Sequence, residues 1–148
     1  MTKSIIALAA VIAAVAVATS AGAQAGSRTI PLTVVESHCS DANVGARGDS
    51  LGDLSACRGT LHDSAGASVG RTHWTCVYLG TTRRGSDCTA QVKLHGGSLQ
   101  AAGWLSHTSA ENDWAITGGT GAYAGARGTV HLRQIGHTHT ATTITLLP

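Results

Sequence analysis

Short apolar runs alternate with short polar turns over most of the chain. From Arg28 onward, segments rich in Val, Ile, Thr, Leu and Trp are separated by clusters of Gly, Ser, Asp and Asn, which is typical of strands and turns. After the first 25 residues no stretch has the period of an amphipathic helix. The pattern predicts eight strands: Arg28–Glu36, Ser50–His62, Ser68–Leu79, Cys88–Leu94, Ser98–His107, Asp113–Thr117, Arg127–Gln134 and His139–Leu147.

Many short, evenly spaced strands indicate a sandwich or a barrel. Eight strands within little more than one hundred residues fit an antiparallel β-barrel that closes on itself. A barrel of that size is just wide enough to be filled by side chains or to hold one small ligand. We therefore predict an all-β fold, an eight-stranded antiparallel barrel.

The apolar faces of the last two predicted strands match only if the turn near residues 135–137 has an odd length. That register places Arg133 opposite His139, with His131 on the same face. The three side chains would form a polar strip. Such a strip is more often a solvated outer face, and the alternative is a set of polar groups at the mouth of a cavity.

The first residues resemble a signal peptide. Lys3 precedes an uncharged apolar run from Ile5 to Ala18, and small-x-small cleavage sites follow at residues 21–25. The run is shorter than the roughly 20 residues of a membrane span. We therefore expect residues 1–25 to be removed, and residues 26–148 to form a single secreted, extracellular domain without a membrane segment.

The charges are nearly balanced, with 10 Lys and Arg against 8 Asp and Glu. No basic stripe or acidic tail is present, so nucleic acid and anionic membranes are poor candidates as partners. Phe is absent and aromatic residues are few. Ala, Val, Leu, Thr and Gly must therefore fill most of the core.

Four cysteines in an exported chain predict two disulfides. Three pairings exist, and we prefer Cys76–Cys88, because both residues flank one Gly-rich turn that a hairpin would close. Cys39–Cys57 then follows by elimination. The alternative, a four-Cys zinc site, lacks the usual C-x-x-C spacing, so we expect no metal.

Residues 115–130, AITGGTGAYAGARGTV, carry a recognisable motif. It resembles the Gly-Gly-Thr-Gly-x-aromatic-x-x-Ala-Arg-Gly segment of allene oxide cyclase-like barrels and dirigent proteins. The spacing of the preceding segments, from Asp49 through the cysteine pair to Leu99, is similar to that of bacterial secreted members. The resemblance covers the chain from about Asp49 to its C-terminus.

This resemblance implies an eight-stranded antiparallel barrel, often a homotrimer, with a hydrophobic interior pocket for a small hydrophobic ligand. Its plant members guide ring closure or radical coupling, so an isomerase or cyclase is the enzyme class implied. The plant cyclases use an acidic residue near the pocket mouth. No position here matches it securely, so no catalytic residue and no cofactor is assigned.

We expect the motif to have a structural role, and it is not evidence of catalysis. Glycines can take positive φ, which allows a sharp turn between two strands. The aromatic residue of the motif can then lie over the barrel end, before the next strand begins. The residues expected in this loop are Gly118, Gly119, Gly121, Tyr123, Arg127 and Gly128.

Five residues are the best candidates for a ligand pocket. Tryptophans supply apolar surface and an orienting N–H, and polar groups within or beside strands supply specificity. For each residue, ordinary packing or surface exposure is the commoner role. The candidates are Asp53, His73, Trp74, Trp104 and Arg133.

Two other motifs carry little weight. Residues 66–70, GASVG, match the nucleophile elbow, but that motif requires a strand before it and a helix after it. His137 and His139 could share a strand face and, with His131 nearby, bind a metal, although exposed polar filler is the commoner explanation.

The sequence leaves two functions open. The first is a secreted barrel that binds a small hydrophobic molecule and acts as an isomerase or cyclase. The second is a non-catalytic extracellular module that acts through self-association or surface contacts.

Overall fold

The computed structural model of the chain describes residues 26–80 and 84–148. The predicted signal peptide, residues 1–25, lies outside the described residues. Eight strands follow one another: β1 (Arg28–Ala42), β2 (Leu54–His62), β3 (Ser68–Tyr78), β4 (Gly85–Leu94), β5 (Gly97–Ser106), β6 (Glu111–Gly121), β7 (Gly128–Gln134) and β8 (His139–Leu146).

Every strand pairs antiparallel with the next one, and β8 pairs with β1, so the sheet closes into a barrel. The predicted fold class is therefore confirmed. Within the described ranges, no helix is long and apolar enough to cross a membrane.

Three strands are longer than the sequence pattern predicts, and one of them, β4, begins at Gly85 rather than at Cys88. β1 continues past Glu36 to Ala42, because a bulge between Glu36 and His38 shifts the register while the pairing with β2 persists. β6 extends from Glu111 to Gly121, so it contains the first half of the glycine motif. The glycines at 118 and 119 are therefore strand residues rather than turn residues.

The alternation of each strand divides its side chains between the interior and the outer surface. The side chains of Leu61, Leu99 and Ile144 are almost completely buried and belong to one hydrophobic core. Leu99 lies near the start of β5, and Ile144 lies near the end of β8. We call this end, where β2, β4, β6 and β8 finish, the closed end.

Tyr123 belongs to the same core and is buried in the turn between β6 and β7. The strand before the turn leaves no room for larger side chains. A Cβ on Gly119 would meet the carbonyl oxygen of Tyr123, and one on Gly121, where φ is +60°, would meet that of Gly96. The motif therefore brings the tyrosine ring into the core at the closed end.

The register of the last hairpin differs from the predicted one. Gln134 pairs with Thr140, so Arg133 lies opposite Ala141 instead of His139. Five residues, an odd number as expected, separate the last paired residues Gln134 and Thr140, because Val130 pairs with Ile144 in the core. His131 remains on the outer face of β7, where its Nδ1 lies 2.8 Å from Asp113 of β6.

Both predicted disulfides are present. Cys39–Cys57 joins β1 to β2, and Cys76–Cys88 joins β3 to β4. In each case the two cysteines are direct cross-strand partners whose side chains face the barrel interior. The bonds therefore cross-link strands β1 to β4 in pairs, at the end of the barrel opposite Tyr123.

Candidate functional site

The barrel is hollow at the end where β1, β3, β5 and β7 finish, which we call the open end. An inner chamber of about 180 Å³ lies there, above the side chains of Leu61 and Ile144. Its wall consists mainly of apolar side chains, with a few polar groups nearer the opening. The apolar wall includes Val34, Trp74, Val92, Leu105, Trp114 and Leu132.

Two of the three tryptophans face the chamber, and glycines make room for the bulky rings. Trp114 of β6 lies against Gly103 of β5, where a Cβ would collide with the indole. The Trp114 indole N–H donates a hydrogen bond to the backbone carbonyl of Trp104 at 2.9 Å. This bond fixes the orientation of the Trp114 ring.

Trp74 of β3 also faces inward and is partly exposed. Its side chain lines both the inner chamber and the wider space outside it. The Trp74 indole therefore stands where a ligand would pass from the mouth into the chamber.

Glu36 is the only carboxylate among the residues that line the chamber. It lies on β1 immediately before the bulge and borders the wider space too. One of its carboxylate oxygens is within 4.8 Å of both sulfur atoms of the Cys39–Cys57 disulfide. The carboxylate thus stands at the junction of the chamber and its entrance.

Two amide side chains add hydrogen-bonding capacity to the chamber wall. The Asn112 side-chain oxygen accepts a hydrogen bond of 2.7 Å from the backbone N–H of Ser106, which orients the amide. Gln134, near the end of β7, donates to the carbonyl oxygen of Gly136 at 2.7 Å. The chamber therefore combines an apolar wall with a few fixed polar groups, as ligand sites usually do.

The space outside the chamber is a wider mouth of about 630 Å³. Glu36, Trp74 and Leu105 line both spaces, so the two adjoin. A site for a small molecule usually measures roughly 300–1,000 Å³. The inner chamber is smaller than that range, so a ligand that fills it would extend into the mouth.

Asp53 organises the loop that forms one rim of the mouth. Its two carboxylate oxygens accept hydrogen bonds from the backbone N–H groups of Ser50, at 2.7 Å, and Val44, at 2.9 Å. These bonds, with Ser50 contributing most, lower the pKa of the Asp53 carboxyl. The carboxylate holds the loop between β1 and β2 and has little capacity left for a ligand.

The five pocket candidates predicted from the sequence are not brought together. Trp74 lines the chamber and Asp53 lies at the mouth. His73 and Arg133 belong to the outward-facing sets of β3 and β7. Trp104 also points outward, where its indole lies against Gly85. These three residues therefore do not form part of the chamber wall.

Among the chamber residues that were not predicted from the sequence are Glu36, Asn112 and Trp114. Glu36 continues the alternation of Ile30, Leu32 and Val34 along β1, so a period of two would have placed it inside. The period of two identifies Glu36 as an interior residue only when it is known which face of β1 points into the barrel.

One group of three metal-ligand types occurs in residues 26–80 and 84–148, namely Glu36 with Cys39 and Cys57. The two sulfur atoms are bonded to each other, and a disulfide offers no thiolate to a metal. This group is therefore a carboxylate beside a disulfide, which is a different chemical environment from a zinc site.

The family model described as "Allene oxide cyclase barrel like domain" matches residues 33–146. This range begins at Thr33 within β1 and ends at Leu146, so it includes most of β1 and all of the other seven strands. No curated protein sequence matches the chain.

Solved structures with the same barrel carry several activities in their names. A pyocyanin demethylase superposes with a TM-score of 0.72 at 25% identity, covering 80% of this chain and 99% of that one. A Diels-Alderase from Streptomyces koyangensis gives 0.67 at 19% identity, covering 85% and 69%. A pterocarpan synthase dirigent protein gives 0.66 at 15% identity, covering 84% and 96%.

Proposed function

Because the chain belongs to the allene oxide cyclase barrel-like domain family, we propose that it binds a small hydrophobic molecule through its open end and acts on it as a cyclase or isomerase. The observation that carries this proposal is the inner chamber, apolar on most of its wall and bordered by one carboxylate at its entrance. A barrel packed with side chains throughout would have favoured a purely structural module.

The geometry favours an elongated ligand that is apolar at its leading end. The chamber between Trp74 and Trp114 would take the apolar part of the ligand. Each Å² of apolar surface that is removed from water contributes roughly 25 cal/mol to the free energy of binding. The remainder of the molecule would lie in the mouth, where polar side chains and solvent are available.

Such a chamber can promote ring closure with little acid–base chemistry. Holding a flexible molecule close to the product conformation and excluding water are themselves sources of rate enhancement. The Glu36 carboxylate adds a fixed negative charge or a proton acceptor at the chamber entrance. We assign Glu36 as the candidate catalytic group because it is the only carboxyl side chain among the described residues that line the chamber.

The related structures support a ligand-processing role without fixing the reaction. A demethylase, a Diels-Alderase and a dirigent protein share this barrel, and one fold commonly hosts several chemistries. The demethylase supplies the first compound to test, pyocyanin.

Export and assembly are also part of the proposal. The apolar segment at residues 5–18 and the two disulfides favour a secreted domain. The resemblance to the family favours a homotrimer. N-terminal sequencing of the secreted protein and light scattering of residues 26–148 would test these two points.

The binding experiment uses the oxidised domain, residues 26–148, and the neutral apolar fluorophore N-phenyl-1-naphthylamine. Saturable binding that Trp74→Ala weakens about tenfold, while Trp104→Ala leaves it unchanged, is the expected result. Trp104 is the matched control because it is the same residue type on the outer surface. Absence of saturable binding by this fluorophore and by pyocyanin would contradict the proposal.

A further inference from the structure

Three side chains at the mouth form a unit that the proposed function leaves unused. The Tyr78 and His107 rings are stacked, with centroids 5.4 Å apart and planes only 5° from parallel. The Ser86 hydroxyl lies 3.1 Å from Nε2 of His107. All three line the mouth.

The strand register explains how the unit is assembled. Tyr78 at the end of β3 and Ser86 near the start of β4 are direct cross-strand partners. Both side chains face inward, next to the Cys76–Cys88 disulfide. His107 follows β5, and its backbone N–H donates to the carbonyl oxygen of Arg84 at 2.9 Å.

The imidazole is thus held by two contacts and the His107 backbone by a third, although His107 is exposed. An exposed ring of this kind contributes little to the core, and its conformational freedom is lost on folding. Ser86, by contrast, is almost completely buried, so its hydroxyl needs a hydrogen-bond partner. The arrangement orients the imidazole over the mouth.

We propose that His107, stacked on Tyr78 and held by Ser86, forms an aromatic binding wall that takes a planar aromatic ligand without negative charge. This inference rests on the proposed function, because it describes the part of the ligand that extends from the chamber into the mouth. Parallel stacking on a preorganised ring favours a flat molecule over a globular one.

The charge preference follows from other side chains at the mouth. Glu36, Asp41 and Asp49 line it together with the Asp53 carboxylate. A ligand anion placed among these groups would be repelled, most strongly where water is excluded. The acidic side chains therefore select against an anion and do not by themselves define the binding site.

Three molecules with one ring system test both parts of the proposal: phenazine, which is neutral, N-methylphenazinium, which is a cation, and phenazine-1-carboxylate, which is an anion. Titration of the oxidised domain should show binding of phenazine and of N-methylphenazinium. The carboxylate should bind about tenfold more weakly than phenazine. Equal affinity for phenazine and its carboxylate would overturn the charge preference.

Variants then locate the binding wall. His107→Ala should weaken phenazine binding about three- to tenfold, which is the range expected for one lost aromatic pair. His95→Ala is the matched control, since His95 lies between β4 and β5 at the closed end, and it should bind phenazine as the wild type does. Unchanged affinity in His107→Ala would overturn the proposal.

Ser86 acts as a positioning residue, so its test needs a readout of the His107 ring itself. Bound phenazine should shift the His107 imidazole proton resonances through its ring current, and Ser86→Ala should reduce this shift while the thermal midpoint changes little. An identical shift in the variant would contradict the positioning role.

The two proposals fail in different ways. If N-phenyl-1-naphthylamine binds with the expected dependence on Trp74 but no phenazine binds, the aromatic wall is refuted and the ligand chamber stands. If neither class of compound binds, the proposed function is refuted together with the inference.

Discussion

The two ends of this barrel are built from the same eight strands but use their inward-facing positions differently. At the closed end, Leu99 and Tyr123 are buried in the core, and glycines allow close contact between neighbouring segments. At the open end, Trp74 and Leu105 border a cavity, and Glu36 stands among apolar side chains. Packing is therefore concentrated at one end of the barrel, and the cavity lies at the other.

The two disulfides also distinguish the open end from the closed end. Both lie on the β1–β4 side of the open end, where the hydrophobic core is interrupted by the mouth. Cross-links stabilise the folded protein mainly by restricting the unfolded chain. At the open end the two disulfides therefore add stability beside a cavity, and Cys76 and Cys88 are themselves part of the hydrophobic core.

The largest expected effect comes from truncating matched leucines on one strand. Leu99→Ala should lower the free energy of unfolding by about 2–5 kcal/mol, because it leaves a cavity in a fully packed region. Leu105→Ala, further along β5, should cost about 1 kcal/mol, because that side chain is only partly buried beside existing space. Urea unfolding of both variants measures the difference, and equal losses would remove the distinction between the two ends.

Removal of one disulfide should have an effect of similar order. Replacing Cys39 and Cys57 together by Ser should lower the free energy of unfolding by about 3 kcal/mol, as expected for a loop of this size. It should also weaken N-phenyl-1-naphthylamine binding, since the bond supports the wall beside Glu36. A destabilised variant that retained full affinity would show that this bond does not shape the mouth.

The tryptophan pair separates binding from folding. Trp74→Ala is expected to weaken ligand binding about tenfold, a change of about 1.4 kcal/mol, whereas Trp104→Ala should preserve it. Fluorescence titration and thermal unfolding of the same samples give both quantities. Loss of binding only in Trp104→Ala would place the ligand on the outer face of β5 instead.

The smallest effect concerns the rim of the mouth. Hydrogen bonds from Ser50 and Val44 lower the pKa of Asp53 from its ordinary value of 3.8. Because the folded-state pKa is the lower one, the ionised carboxylate stabilises the fold above the unfolded-state pKa. That stabilisation is lost as the pH falls through the folded-state pKa.

Asp53→Asn should therefore lower Tm slightly at neutral pH, since the amide nitrogen cannot accept the second backbone hydrogen bond. The difference in Tm from the wild type should shrink as the pH is lowered below 3.8. A difference that stayed constant through this range would show that the carboxylate charge is not involved.

Much of the fold could be predicted from the sequence because it depends on local patterns. The strand number follows from apolar segments and turns, and the two disulfides follow from cysteine count and spacing. The ends of β1 and β6 could not be predicted, because a bulge at residues 36–38 in β1 and glycines within β6 do not interrupt the pairing. The predicted register of the last hairpin was wrong because more than three residues separate its last paired residues, Gln134 and Thr140.

The candidate site was harder to predict, because a strand has two faces and the sequence does not say which one lies inside. Trp104 and Trp114 are the same residue type, but Trp104 points outward and Trp114 points inward. A different glycine lies against each of the two indoles. Gly103 leaves interior space for Trp114, whereas Gly85 receives Trp104 on the outer surface. His107 lies beyond the end of its strand, where alternation carries no information.

We propose that the chamber between Trp74 and Trp114 holds a small apolar ligand. A crystal structure of residues 26–148 grown with N-phenyl-1-naphthylamine tests it most directly. We predict electron density for the naphthyl group in that chamber, with the rest of the molecule in the mouth beside Glu36. A chamber filled by protein side chains, with the compound bound only on the outer surface of the barrel, would contradict the account.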